Sequence, residues 1–265
     1  MNSQHNKKSY KDICPSGGDT GATLNLHKRL SILTKYITLP NARVLDAGCG
    51  SGQYLVSLLG LGVDAWGVEY FDNKVNIFRK ANPEYASRIL CGDISVLPFP
   101  DNNFDVVLLN EVLEHVPNIE ASLAEINRVL KQDGVLVVFS PNRFYPFETH
   151  EVRLKLLGIK IPHAFPGIPY LPLFIGTKLF DYEARNFWPH QLINLLNCNS
   201  FTVIDTNFIV QTFENISGHQ PKLVKCVTPI LRKLFSLMEL IPFVRAIFSV
   251  SQICVAKRFN DIVGQ

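Results

Sequence analysis

Short apolar runs alternate with segments of helical spacing through the first half of the chain. The apolar runs predict strands at 43–47, 64–69, 88–91, 104–109 and 135–140. Apolar residues at every third or fourth position predict helices at 22–37, 53–59, 73–81 and 119–130. Near-continuous apolar strands that alternate with helices favour a parallel sheet covered by helices on both faces.

The pattern changes after residue 141. The stretch 161–176 contains four prolines interleaved with aromatic residues, and a long loop of this composition favours a lid or a binding loop. Helical spacing resumes at 189–197, and further strands are predicted at 201–210 and 252–257. Between these two strands, the segment 211–251 has the apolar spacing of amphipathic helices.

One domain accounts for most of the 265 residues, of which 47% are apolar and 18% charged. A chain of this length and balance can bury a sizeable core. We expect a flexible tail at 1–21 and a C-terminal tail at 259–265. Between them we expect a domain at 22–258 with lid segments at 141–180 and 211–251.

The charges and cysteines argue against several classes of protein. A net charge of +3 is too small to imply a nucleic-acid partner. The six cysteines form no Cys-x-x-Cys pair, which favours a reducing, cytoplasmic setting over a disulfide framework or a zinc site. The N-terminus lacks the apolar core of a secretory signal. Glu239, Pro242 and Arg245 interrupt the apolar stretch 237–255, so no transmembrane helix is predicted.

Residues 44–52 carry the most specific signal. An apolar run ends at Asp46, and three glycines follow at alternate positions where a helix is predicted to begin. Glycine lets the backbone turn sharply and lets a ligand come close. The dinucleotide fingerprint Gly-x-Gly-x-x-Gly fails in both frames because its sixth position is not glycine, and no Gly-Lys-Ser/Thr follows for a P-loop. The remaining pattern, Asp-x-Gly-x-Gly-x-Gly, suits a ligand without phosphate.

Two acidic residues follow the next predicted strands. Glu69 closes the second strand, where a carboxylate can accept hydrogen bonds from both hydroxyls of a ribose. The alternative for Glu69 is an ordinary solvated acid at a strand end. Asp93 follows the third strand, where it can accept the exocyclic amine of adenine while the backbone N–H of Ile94 serves a ring nitrogen. The alternative for Asp93 is an Asx turn.

The fourth predicted strand leads into Asn110, Glu111 and His115. Ligands of open parallel sheets bind at the carboxyl ends of the strands, so these residues are expected near the reactive end of the ligand. A catalytic role for His115 and a capping or packing role on the helix surface are equally compatible with the sequence.

The motifs at 44–52, 67–70, 91–94, 110–115 and 130–140 together resemble class I S-adenosylmethionine (SAM) dependent methyltransferases. The closest group is the type 11 family, which is similar to the quinone-pathway methyltransferases, and the resemblance covers about residues 22–145. It implies an α/β, Rossmann-like sheet of seven mostly parallel strands in the order 3-2-1-4-5-7-6, with the seventh antiparallel. The residues implied to bind SAM are Asp46, Gly48, Cys49, Gly50, Ser51, Gly52, Glu69, Tyr70, Asp93, Ile94, Asn110 and Glu111.

Other polar residues are candidates for binding the methionine carboxylate of SAM and for acting as a general base. In related enzymes a polar residue on the first helix closes over the methionine carboxylate, and Arg29 suits this role better than His27. For either residue a solvated helix face is the favoured interpretation. His150, with Glu148 nearby in sequence, is the first candidate for a general base if the acceptor is a hydroxyl. A histidine that only packs or orders the lid is the alternative.

The segment 211–251 is basic as well as amphipathic, and it departs from the short hairpin common in the family. A basic amphipathic helix can lie on an anionic membrane surface. The favoured alternative is a cover packed on the domain with its basic side in water. The basic residues are Lys222, Lys225, Arg232, Lys233 and Arg245.

The expected function is SAM-dependent methyl transfer to a small-molecule or lipid-like acceptor. The acceptor site is expected to be built by 141–180 and 211–251 with an apolar, aromatic lining. No metal is expected, because methyl transfer needs none and the sequence shows no ligand cluster. The rivals are an NAD-dependent oxidoreductase and a SAM-binding partner subunit without catalysis. Neither the acceptor atom nor the oligomeric state has a sequence signal.

Overall fold

A computed structural model describes residues 22–37, 42–162, 165–210, 230 and 233–259. The expected tail at 1–21, most of the one at 259–265, and Lys222, Lys225 and Arg232 lie outside these residues. The strands in chain order are β1 Arg43–Ala47, β2 Asp64–Glu69, β3 Ile89–Cys91, β4 Phe104–Asn110, β5 Leu130–Pro141, β6 Val152–Leu154, β7 Ile159–Lys160, β8 Phe180–Tyr182, β9 Phe201–Val210 and β10 Ser249–Arg258.

Seven strands form one sheet in the order β3-β2-β1-β4-β5-β10-β9. Neighbours from β3 to β5 are parallel, and β10 runs antiparallel to both β5 and β9. The labels differ from the predicted 3-2-1-4-5-7-6 because β6, β7 and β8 belong to a second sheet, so β9 and β10 are the sixth and seventh strands of the first. The predicted fold class is confirmed.

Helices cover both faces of the seven-stranded sheet. Successive strand residues point to opposite faces, so Val44 packs under one helical layer and Leu45 under the other. One layer includes buried Leu33 and Leu55, and the other includes buried Leu123. The helices are α1 Ala22–Leu33, α2 Gln53–Gly60, α3 Asp72–Ala81, α4 Ile119–Val129, α5 Leu173–Leu179, α6 Pro189–Cys198 and α7 Pro242–Phe248.

The region between β5 and α6, residues 142–188, is not the irregular loop that its prolines predict. It contains the three-stranded sheet β7-β6-β8 and the helix α5, and we call it the β6–β8 region. Buried Arg143 holds it together, because its Nε donates to the Pro169 carbonyl at 2.7 Å and its Nη2 to the Leu171 carbonyl at 2.7 Å. The Arg143 guanidinium also lies 5.2 Å from the centre of the Trp188 ring.

None of the helices in the described ranges is long and apolar enough to cross a membrane.

Candidate functional site

The glycine loop sits on the carboxyl end of β2. The backbone N–H groups of Gly48 and Cys49 both donate to the Val68 carbonyl, at 2.8 and 2.9 Å. Gly50 has a φ of 58°, and a Cβ built there meets no heavy atom of the described residues within 4 Å. A Cβ at Gly48 would instead lie 2.7 Å from Cγ2 of Val112. The loop is therefore packed against the segment after β4 at Gly48 and open at Gly50, where a ligand can approach the backbone.

Glu69 lies beneath the open side of this loop. Its Oε2 accepts a hydrogen bond from the Gly50 N–H at 2.9 Å, and its Oε1 accepts one from the Phe71 N–H at 3.1 Å. Lys74 Nζ lies 3.6 Å from Oε1. Glu69 is buried, so the solvated-acid alternative does not describe it. Each carboxylate oxygen has a second lone pair, so Glu69 can fix the loop and still accept from a ligand hydroxyl.

Asp46 is a buried carboxylate at the start of the loop. It is 1% exposed, and neither of its oxygens has a hydrogen-bond partner within the described residues. Burial, and then the nearby charge of Glu69, raises the pKa of Asp46 to about 7. An unpaired buried carboxylate is costly, so this position fits a ligand that brings a donor or a positive charge.

The remaining residues implied to bind the adenosine part of SAM differ in exposure. Asp93 is exposed, and its Oδ1 accepts from both the N–H and the hydroxyl of Ser95 at 2.8 Å, which is the Asx-type turn considered as its alternative. The Ile94 side chain is buried in the core, so only its backbone is left for the contact expected of it. Tyr70 and Ser51 are exposed. The Gly92 N–H donates to the Glu69 carbonyl at 3.0 Å and keeps the two loops adjacent.

The side chain of Cys49 is turned away from the open side of the loop. Its side chain is buried, and a Cβ at Gly67 would lie 2.9 Å from its sulfur, so the thiol points into the sheet. Burial comes first among the causes that raise the pKa of this thiol, which therefore stays protonated. The thiol is a packing group beneath the glycine loop.

The favoured solvated-face interpretation is wrong for Arg29. The residue is 6% exposed, and its Nη1 donates to Oδ1 of Asn110 while its Nη2 donates to Oε1 of Glu111 at 2.6 Å. Burial alone would lower the pKa of Arg29, but the charge and hydrogen bond of Glu111, together with the nearby Tyr54 and Glu114, outweigh it and the pKa is raised. Ser251 also donates to Oε1 of Glu111, at 3.1 Å. Asn110 and Glu111, both implied to bind SAM, are thus engaged by α1 and β10, and Glu111 has a φ of 58°.

A cavity of about 290 Å³ opens three residues beyond Glu111. Glu114 and His115 form one wall, and the β6–β8 region forms most of the other. The Arg185 N–H donates to the Glu114 carbonyl at 3.0 Å and joins the two walls. The lining consists of Glu114, His115, Val116, Arg143, Glu148, Ile168, Pro169, Thr177, Tyr182, Glu183, Ala184, Arg185 and Asn186.

This lining is mixed, whereas an apolar, aromatic one was expected. The acids and arginines share the cavity wall with apolar residues such as Val116, Ile168 and Ala184 and with the aromatic ring of Tyr182. The aromatic residues expected to line it, Phe165, Tyr170 and Phe174, are exposed instead. Glu148 is buried in the wall and accepts from Asn186 Nδ2 at 2.7 Å.

The two candidate histidines lie together. His115 and His150 come from different segments, yet their ring centres are 4.9 Å apart at an interplanar angle of 76°. His150 Nδ1 lies 3.2 Å from the Thr149 hydroxyl. Glu114 completes this group, although no sequence pattern singled it out, because an acid between Leu113 and His115 resembles any solvated helix residue.

Comparison with known proteins extends this picture. Residues 45–138 match the family model Methyltransf_11, described as a methyltransferase domain. A "Probable S-adenosylmethionine-dependent methyltransferase" of Mycobacterium tuberculosis is 30% identical over 154 residues, 54% of this chain and 56% of the relative. A "Ubiquinone biosynthesis O-methyltransferase" of Bartonella quintana is 27% identical over 188 residues, 69% of each chain. A "Demethylmenaquinone methyltransferase" of Renibacterium salmoninarum is 30% identical over 146 residues, 53% of this chain and 61% of the relative.

Solved structures agree on the fold. A SAM-dependent methyltransferase from Mesorhizobium loti matches with a TM-score of 0.58 at 14% identity, covering 86% of this chain and 96% of its own. The [4+2]-cyclase SpnF matches with a TM-score of 0.56 at 20% identity, covering 88% and 81%. At these identities the likeness concerns the fold alone. This chain spans slightly more than half the length, 56%, of the first curated relatives it matches.

Proposed function

We infer that this chain, which belongs to the type 11 family of class I SAM-dependent methyltransferases, transfers a methyl group from SAM to a small molecule bound in the cavity beside His115. The family and its cofactor were both predicted from the sequence and are confirmed. One observation supports the transfer most directly. Val112 contacts the glycine loop at Gly48, and two residues later Glu114 lines the cavity, so cofactor loop and cavity are neighbours along one short segment.

The residues present fit SAM. The open side of Gly50 leaves space for the ligand, and the unpartnered carboxylate of Asp46 suits its positively charged methionine end. Glu69 would accept the ribose hydroxyls, and Asp93 would accept from adenine. When bound, SAM supplies an electrophilic methyl group on a sulfonium. The protein then has to hold a nucleophile about 3 Å from that carbon, in line with the breaking bond, and to exclude water.

The cavity offers the means to handle a proton on the acceptor. If the acceptor is a hydroxyl, its proton must leave as the new oxygen–carbon bond forms. His115 and His150 lie side by side at this wall, and an imidazole titrates in the range where it can accept such a proton. Glu148, bound by Asn186, adds a buried negative charge that favours a protonated partner in the cavity.

The acceptor that fits best has a polar reacting end and an apolar remainder. The polar end matches the charged lining of the cavity, and the remainder can lie against Phe165 and Phe174, which are exposed on the β6–β8 region. Relatives named for demethylmenaquinone and for ubiquinone biosynthesis support an aromatic-ring acceptor of this kind.

A label-transfer assay tests the proposal. Untagged protein is incubated with SAM labelled in the methyl group and with hydroxylated quinols that carry or lack an isoprenoid tail. We expect label in a quinol and formation of S-adenosylhomocysteine. His150→Ala should lower turnover by about 10²- to 10⁴-fold with SAM affinity unchanged, whereas His190→Ala, an exposed histidine on α6, should not change turnover. Tight SAM binding without transfer to any acceptor would instead favour the non-catalytic partner subunit.

Peripheral membrane contact is a separate part of the proposal. In the described end of the 211–251 segment, Leu237, Leu240 and Phe243 are exposed, whereas a cover packed on the domain would bury them. Flotation with vesicles of phosphatidylserine should carry the protein upward, and neutral vesicles should carry less of it. The double variant Leu240→Ser/Phe243→Ser should stay at the bottom. Equal sedimentation with both vesicles would contradict membrane contact and leave methyl transfer unaffected.

A further inference from the structure

We propose that Glu114, His115 and His150 form a binding site for a divalent metal ion of the zinc class, open to the cavity and able to bind an oxygen atom of the acceptor. The choice of acceptor atom rests on the proposed function, whereas the metal site rests on these three side chains alone. It departs from the expectation of no metal, which was drawn from the sequence, where the three residues lie in two separate segments.

The geometry brings one potential ligand atom from each residue within 4.8 Å of the other two. A tetrahedral ion with bonds of about 2.0–2.2 Å would place its ligands roughly 3.4 Å apart. Closure of about an ångström is therefore needed, and rotation of two side chains can supply it. His115 is exposed and closes the single 3-10 turn Leu113–His115, and His150 is partly exposed in a segment outside helices and strands, so both side chains have room to rotate.

Glu114 provides an independent indication of a ligand. It is 5% exposed and lines the cavity, yet neither of its carboxylate oxygens has a hydrogen-bond donor among the residues described. A buried carboxylate in this state needs either a cation or a proton. The competing explanation is the proton, since burial and then the charge of Glu111 raise the pKa of Glu114 to about 9. A bound metal ion would displace that proton, because a ligating carboxylate must be ionised.

The surroundings favour a cation at this wall. Glu148 and Glu183 also line the cavity. Of the two arginines there, Arg143 already donates to the carbonyls of Pro169 and Leu171. The guanidinium of Arg143 is thus turned toward the β6–β8 region, while Glu148 and Glu183, which also accept hydrogen bonds from Asn186 and Glu151, add negative charge to the wall beside the histidines.

Three protein ligands leave a zinc-class ion with an open coordination position, which is the arrangement of catalytic rather than structural sites. An acceptor hydroxyl bound there would lose its proton more easily, to water or to a nearby base. Its oxygen lone pair would then form the bond to the SAM methyl carbon, while the sulfur–methyl pair returns to sulfur and leaves neutral S-adenosylhomocysteine. The acceptor class is accordingly an oxygen nucleophile, such as a hydroxylated ring. His115 and His150 would act as ligands in this arrangement.

Calorimetric titration with Zn²⁺ alone tests the site, using chelator-treated protein without a histidine tag. The cysteines Cys91 and Cys198 are exposed and can bind zinc, and Cys14 and Cys226 lie outside the described residues, so the background replaces all four by serine. We expect one equivalent bound, with affinity at least tenfold weaker in His115→Ala, His150→Ala and Glu114→Gln. His190→Ala is the matched control and should bind like its parent. Because His115 is exposed, its variant keeps the test valid if Glu114→Gln does not fold.

Absence of zinc binding, or equal binding by parent and all three variants, would overturn the inference. The competing proton is measured separately, by repeating the zinc titration in buffers of different ionisation enthalpy. If zinc binds at Glu114, the heats should show that a proton is released on binding, and Glu114→Gln should lack this release.

The outcomes also separate this inference from the proposed function. SAM binding is measured in chelator and again with zinc. Methyl transfer that persists in chelator would remove the metal from the reaction and leave the methyltransferase proposal standing, whereas the zinc titration decides whether the site exists. Zinc binding without any SAM-dependent transfer would support the metal site and contradict the methyltransferase proposal. If both hold, chelator should abolish transfer and zinc should restore it, which a histidine base alone would not require.

Discussion

Replacing Gly50 by alanine, with Gly62 as the comparison, distinguishes two effects of a glycine: tolerance of a positive φ and space for a ligand. Gly50 has a φ of 58°, and Gly62, in the turn after α2, has a φ of 81°. A Cβ at either position meets no atom of the described residues within 4 Å. Alanine in this left-handed region costs about 1–2 kcal/mol. Both variants should therefore lose similar stability, a fall of roughly 2–8 °C in Tm for a domain of this size.

Only the Gly50→Ala methyl group points into the space assigned to SAM. We expect its affinity for SAM and S-adenosylhomocysteine to fall at least tenfold, or about 1.4 kcal/mol, whereas Gly62→Ala should bind like the parent. Thermal unfolding gives the stability change and calorimetry gives the affinity. If Gly50→Ala binds SAM as tightly as Gly62→Ala does, the open side of the loop is not the cofactor site. If both lose affinity, strain and not contact is the cause.

Two further predictions concern buried charge. The folded pKa of Asp46, about 7, lies above its ordinary 3.8, so the folded protein holds the extra proton and stability should fall as pH rises from about 4 to about 7. Denaturant unfolding at several pH values should show this slope in the parent and a flatter one in Asp46→Asn; identical slopes would contradict it. Arg29→Met should lower the free energy of unfolding by roughly 2–4 kcal/mol. The loss is smaller than for a fully buried ion pair because the Glu111 side chain is 27% exposed. Arg29→Met/Glu111→Gln should recover part of that loss, and additive losses would show that the pair is not coupled.

The cofactor half of the molecule could be predicted because its signals are local. The apolar run of β1, the glycines after it and Glu69 at the end of β2 are each contiguous with the strand that positions them. The carboxyl ends of parallel strands lie at one edge of the sheet, so the loops that follow them are brought together by the sheet itself. The strand order followed from the family resemblance and not from periodicity.

Arg29 shows why other features could not be predicted. A basic residue on an amphipathic helix is usually solvated, and nothing in the local sequence of α1 distinguishes it. Its burial depends on α1 lying across the ends of distant strands, where the guanidinium is 5.2 Å from the Phe139 ring and meets Asn110 and Glu111. The β6–β8 sheet was missed for a different reason: strands of two or three residues are too short to show an alternating pattern.

The meeting of His115 and His150 depends on how the β6–β8 region is attached to the sheet. The region leaves the sheet after Pro141 and returns at Phe187, and buried Gln252 in β10 binds both ends, since its Nε2 donates to the carbonyl of Pro141 at 3.1 Å and to that of Phe187 at 2.8 Å. This amide closes the base of the loop that carries His150 together with the hydrogen bond from the Arg143 N–H to the Phe187 carbonyl at 3.2 Å. The hydrogen bonds of this amide go to Pro141 and Phe187 and those of the glycine loop to Val68 and Glu69, so the proposed acceptor wall and the proposed SAM site are held by different residues. That separation explains how one cofactor motif can serve relatives named for different acceptors.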